Sequence, residues 1–389
     1  MKITAIKNAQ VVTERGIIWD GIIVVENGKI KEYGEEKDVK IPDDAEIIDA
    51  DGAYVGPGFV DIHVHGGDGK STCFHPVEAA EHFLKRGTTS LLGTPDYHMN
   101  TEKLVEAIKS IREGMKKSKV IKGIYMEGPY TNPNFGSHAA TNPWHGAVEE
   151  KDYKVFVDEA GKDVRVWTID PERPDLKPFL EYARKVNPDV KIAVGHTQAW
   201  PMHIRRLGTR LKPTILTHAM DATPQKEIYS AGVRNYGVDE YCFKTQDMYA
   251  ELISDSCGVH VDPEMQQLLI HTKGVEKVVL VTDSTIHNNV PPEWLKHVTD
   301  LNFDPQGGIA GSKMTMDQAC RNIMQSTNCG IAQAFLMAST NPAKAIGMDD
   351  EIGSIDTDKN ADLVFVDDRF NVQKVMLEGE IVVEKGELV

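Results

Sequence analysis

The stretch GPGFVDIHVHGGDG, residues 56–69, decides the fold. A run of strand-forming residues ends in His63 and His65, one residue apart, just before a glycine-rich bend. Successive side chains of a strand point to opposite faces, so the two imidazoles are expected to project together and Val60, Ile62 and Val64 the other way. Two nitrogens aimed at one point can grip a metal ion. Ions such as zinc need three or four protein ligands, so the pair gains meaning only if other ligand-bearing residues occupy comparable places. The adjoining Gly-Lys-Ser at 69–71 does not make a phosphate-binding loop, because the earlier glycine of that motif would fall on Val64.

Comparable places exist. Eight apolar runs read as strands: 58–65, 88–96, 120–129, 164–172, 191–196, 213–220, 249–255 and 277–283. Amphipathic segments such as TEKLVEAIKSIREGMKK (101–117) and LKPFLEYARKV (176–186) lie between most of them. Strands alternating with helices predict a parallel sheet, and eight such units predict a closed (β/α)8 TIM-type barrel. Nearly every run ends in a group able to bind metal or move protons: His63 and His65, Asp96, Glu127, Glu172, His196, His218 and Asp283. In a barrel these ends meet at one mouth, where active sites of this fold are built.

The two chain ends differ from the middle. GIIVVENGKIKEYG (21–34) is a hairpin about Asn27-Gly28, and KVMLEGEIVVEKGELV (374–389) turns at Glu378-Gly379. The simplest architecture pairs residues 1–54 with 351–389 in a small β-sandwich domain that brackets a barrel of residues 55–350.

Composition limits the partners. The chain has 389 residues with a net charge of −16, which argues against nonspecific binding to nucleic acid. The N-terminus alternates like a strand rather than a signal peptide, and no apolar run nears the roughly 20 residues that span a bilayer, so no membrane association and a cytoplasmic location are expected. Five cysteines without a C-x-x-C pair give neither a disulfide framework nor a zinc finger; Cys257 alone lies near a motif. Nucleotide-binding, serine-hydrolase and H-E-x-x-H signatures are absent.

PGFVDIHVHGG, YMEGPY, VGHT, THAM, HVD, LVTDST, GSKMTM and STNPAKAIG…GSIDTDKNADLVFVD stand in the order and near the spacing found in N-acetylglucosamine-6-phosphate deacetylases of the amidohydrolase superfamily, which the chain resembles over nearly its whole length. The resemblance implies that Glu127, His196 and His218 hold a divalent transition metal: zinc, with iron, cobalt or manganese as alternatives. His63 and His65 would hold a second ion with Glu127 bridging, or else only line the mouth. Asp283 resembles the family's catalytic aspartate, which takes a proton from water and returns it to the leaving amine. His138 and His260 match substrate-binding histidines. The implied partners are a small-molecule amino sugar and further copies of the chain in a homodimer or tetramer.

The sequence departs from the family after His218. Asp221-Ala222 replaces a substrate-binding Asn-Ala pair, and the usual phosphate-binding arginine is missing, leaving Arg234 and Lys226 as candidates. An ionised aspartate repels phosphate. The alternatives to deacetylation of N-acetylglucosamine 6-phosphate are therefore another N-acyl amino sugar or N-acyl amino acid as substrate. A barrel that has lost catalysis is a further alternative, opposed by the retention of every proposed ligand.

Overall fold

The computed structural model describes residues 2–389 except 138, 228, 229, 231 and 234. All eight expected barrel strands form: β1 (Phe59–Val64), β2 (Thr88–Gly93), β3 (Ile121–Met126), β4 (Val164–Ile169), β5 (Lys191–Val194), β6 (Ile215–Leu216), β7 (Tyr249–Leu252) and β8 (Val278–Leu280). Each is parallel to its chain neighbour, in the sheet order β8-β7-β6-β5-β4-β3-β2-β1. The seam between β8 and β1 closes just beyond the regular ladder. Asp283 N–H donates to His63 O at 3.0 Å and His65 N–H donates to Ser284 O at 2.9 Å. Deeper in the seam, the buried Asp61 carboxylate accepts from the Thr282 hydroxyl at 2.5 Å.

The helices follow from their apolar stripes. The helix Thr101–Met115 begins at Asn100, whose side chain accepts from Lys103 N–H, and it buries Leu104, Ala107, Ile108 and Ile111 against the barrel. Each leucine or isoleucine side chain hidden in this way stabilises the fold by about 1.5–3 kcal/mol. Among the described residues no helix is long and apolar enough to cross a membrane.

Both chain ends enter one nine-stranded sheet, with a core that includes Ile6, Val11, Ile23, Ile30, Val55, Leu363, Phe365 and Met376. Its join is the strand Tyr54–Pro57, which pairs parallel with Ile3–Thr13 and antiparallel with Leu363–Val366. This strand leads directly into β1, so residues 56–69 link the two sheets. The Asn27-Gly28 and Glu378-Gly379 turns both form, with φ of 51° and 81° in the first and 47° and 82° in the second.

One expectation for β1 needs correction. Val60 and Ile62 pack in the same barrel-interior cluster as Tyr125, whose ring stacks on His63 at 4.5 Å, whereas Val64 joins the outer cluster that contains the helices. The β1–β2 register shifts between Asp61 and Val64. An irregularity of this kind breaks strict alternation and re-aims a side chain, and here it brings His63 over the interior layer.

Candidate active site at the barrel mouth

His63, His65, Glu127, His196, His218 and Asp283 come together at the C-terminal end of the barrel, all buried. The four histidines share one design, with Nδ1 turned outward and Nε2 inward. His63 Nδ1 lies 3.1 Å from Glu251 Oε2, His65 Nδ1 lies 3.2 Å from Asp96 Oδ1, and the Nδ1 atoms of His196 and His218 lie 3.2 Å from Phe135 O and Asp221 O. A carboxylate or carbonyl can only accept, so at His63, His196 and His218, where the contact is a hydrogen bond, the proton belongs on Nδ1 and the Nε2 lone pair points into the site.

Those Nε2 atoms surround Glu127. Its Oε1 is 2.8 Å from His196, 3.1 Å from His218 and 3.6 Å from His63, and its Oε2 is 3.1 Å from His65. Asp283 Oδ1 stands 3.3 Å from His65 Nε2 and 3.7 Å from His63 Nε2. The ligand atoms fall into two compact groups, His63–His65–Glu127 and Glu127–His196–His218, with Glu127 common to both. His63 Nε2 and Glu127 Oε2 are buried and have no hydrogen-bond partner in the protein. Such atoms are costly unless something else satisfies them, and neutral imidazole nitrogens with a shared carboxylate suit a divalent transition ion.

The charges agree with this arrangement. Burial works to raise the Glu127 carboxyl, but His63 and His196 outweigh it and hold it well below the usual carboxylate range. Asp283 is likewise lowered, because its bond to His65 and the charges of His63 and His65 outweigh burial. Burial opposes protonation of His218, yet Glu127, Asp221 and Asp283 push it up to about 10. Histidines this strongly favoured in their charged form are held by an anionic surround that a cation can occupy in place of the protons.

Backbone strain marks the same residues. His196, His218 and Asp283 have φ of 43°, 25° and 45°, in the left-handed region that side chains rarely adopt. Gly311, from the antiparallel pair Leu301–Phe303 and Ile309–Ser312 beyond β8, lies against Asp283; a Cβ there would come within 2.3 Å of Asp283 O. Above the cluster is a cavity of about 270 Å³ whose walls include Tyr97, Asp221, Ala222, His287 and Asp304.

Other candidates fall elsewhere. Glu172 turns to Lys226 Nζ at 2.9 Å, and neither lines the cavity. His260 is buried beside the mouth, its Nδ1 3.2 Å from Asp255 Oδ2. Burial opposes its protonation and the Asp255 bond prevails, raising it above its ordinary value. His138 and Arg234 lie outside the described residues. The sequence reading missed Glu251 and Tyr125, both inside strands rather than at their ends; the one available signal was a polar residue at an inward-facing position of YAEL and GIYM.

The model of the amidohydrolase family matches residues 54–382. The N-acetylglucosamine-6-phosphate deacetylase of Bacillus subtilis is 29% identical over 395 residues, covering 97% of this chain and 96% of that protein. The N-acetylgalactosamine-6-phosphate deacetylase of Escherichia coli is 26% identical over 351 residues, covering 86% and 89%. The crystal structure of the N-acetylglucosamine-6-phosphate deacetylase from Pasteurella multocida superposes with a TM-score of 0.83 at 26% identity, covering 97% of this chain and 99% of that one.

Proposed function

The chain belongs to the amidohydrolase family, and from that premise we propose that it hydrolyses the N-acetyl amide of an amino sugar, converting N-acetylglucosamine 6-phosphate to glucosamine 6-phosphate and acetate. The observation that carries this reading is the convergence of four imidazole Nε2 atoms on Glu127, with the Asp283 carboxylate 3.3 Å from one of them. Glu127, His196 and His218 would hold one divalent ion and His63, His65 and Glu127 a second, zinc being our first choice. An ion there supplies Lewis acidity, polarising the amide carbonyl and making water nucleophilic near neutral pH.

The chain's own residues do the rest. The Asp283 carboxylate, 3.3 Å from His65 Nε2 at the edge of the ligand cluster, accepts a proton from the attacking water as it adds to the carbonyl carbon. The protonated acid then delivers that proton to the amide nitrogen, the C–N bond breaks, and acetate and the free amine leave. Tyr97 and Asp221 on the cavity wall would face the sugar, Ala222 offers backbone beside it, and His260 would reach the bound substrate from its seat on Asp255. A homodimer or tetramer would let a neighbouring copy contribute to a phosphate pocket together with Arg234, and His138 would contact the substrate and help polarise its carbonyl.

Similarity to the deacetylases supports a phosphorylated substrate, whereas Asp221 on the cavity wall favours an uncharged sugar. No Lys or Arg is among the described lining residues. The test compares kcat/KM for N-acetylglucosamine 6-phosphate and its unphosphorylated counterpart, then repeats both with Asp221→Asn and Arg234→Ala. Preference for the phosphorylated sugar, strengthened by Asp221→Asn and weakened by Arg234→Ala, supports the reading. Preference for the neutral sugar removes the phosphate, and no acetate from either removes the deacetylase assignment.

A further inference from the structure

Glu251 lies in β7 with its side chain fully buried, and it ends no strand. Its Oε2 alone faces two donors: His63 Nδ1 at 3.1 Å, and the main-chain N–H of His218 at 3.2 Å. Its main-chain oxygen also accepts from Ala219 N–H at 2.8 Å. One residue therefore holds the ring of a histidine in the first ligand group and the left-handed backbone turn of a histidine in the second.

We propose that Glu251 is a positioning residue that makes the two ion positions a single unit, an inference that rests on the metal-centre reading above. The bond to His63 fixes the Nδ1–H tautomer and the ring plane, leaving Nε2 free to bind. The bond to the His218 amide helps hold a φ of 25° that a histidine would otherwise leave. Rings placed in this way sit 5.6 Å apart, centre to centre, across the site. Disturbing Glu251 should loosen both ligand groups at once, whereas disturbing His63 should loosen only its own.

The test uses Co2+ as the probe ion. Loaded wild-type, Glu251→Gln and His63→Ala proteins are titrated with a chelator, with bound cobalt counted and its visible bands recorded; circular dichroism checks the fold. Glutamine keeps the shape but loses the charge. Both ions should weaken together by about tenfold, in the range found for partners of metal-bound histidines, and the cobalt bands should shift. His63→Ala should release one ion and leave the other within about twofold of wild type. Glu251→Asp, which keeps the charge but retracts the oxygen by one methylene, should give the same joint loss and stands in if the glutamine variant does not fold. Loss confined to one ion, or no loss in either Glu251 variant, overturns the proposal. Wild-type protein that takes up only one ion overturns it as well. Wild-type protein that takes up none overturns the metal-centre reading itself, an outcome visible before any substitution is made.

Discussion

The hairpin turns of the terminal sheet and the mouth of the barrel both place residues in the left-handed region, but they do so at different cost. At Asn27-Gly28 and Glu378-Gly379 a glycine completes each turn, and the two turns lie close enough that a Cβ on Gly28 would sit 2.8 Å from Glu378 O. Local sequence favours that conformation. At the mouth, two histidines and an aspartate adopt it themselves, held by β7, by the β8–β1 seam and by the close approach of Gly311. Residues away from the mouth, Phe370 among them, also have a positive φ, so what sets these three apart is that their side chains converge where the proposed chemistry is.

Asp283→Asn should fold and keep its metal while turnover falls by about 10³-fold, because the amide cannot accept the proton. Near-normal turnover would take Asp283 out of the mechanism. Gly311→Ala should come next. The added Cβ must displace Asp283, and a misplacement of about 1 Å costs roughly 10²-fold in rate, seen as a fall in kcat larger than any change in KM.

The structural side is sharpened by Gly28→Ala. A residue with a Cβ at φ of 81°, pressed on Glu378 O, should lose about 1–2 kcal/mol in denaturant unfolding with turnover per folded molecule unchanged. If turnover fell with it, the two regions would not be separable. The smallest effect concerns Asp170, just past β4, which burial pushes up to about 6 while the Thr197 hydroxyl partly offsets the rise. A raised carboxyl binds its proton more tightly in the folded state, so its contribution is full below about pH 4, the unfolded value, and is lost as pH rises through about 6. Asp170→Asn should flatten the stability profile across that window.

The same comparison explains what could be read from sequence. Asn27-Gly28 is a local signal and identified its hairpin without tertiary information. The barrel strands were legible as apolar runs, and the rule that strand ends meet at one mouth brought His63, His65, Glu127, His196, His218 and Asp283 together. That rule works by position along the strand and is blind to direction. It therefore included Glu172, which turns aside to Lys226, and passed over Glu251, whose role depends on facing inward beneath His63. The break in alternation along β1 was equally hidden, since it arises from pairing with β2.

The central claim is that this mouth hydrolyses an N-acetyl amide with metal held by Glu127 and the surrounding histidines. It is tested most directly by following acetate release from N-acetylglucosamine 6-phosphate while a chelator removes divalent ions and added zinc restores them. Release should stop as bound metal is lost and return with it. Release that continues undiminished from protein shown to be metal-free would contradict it.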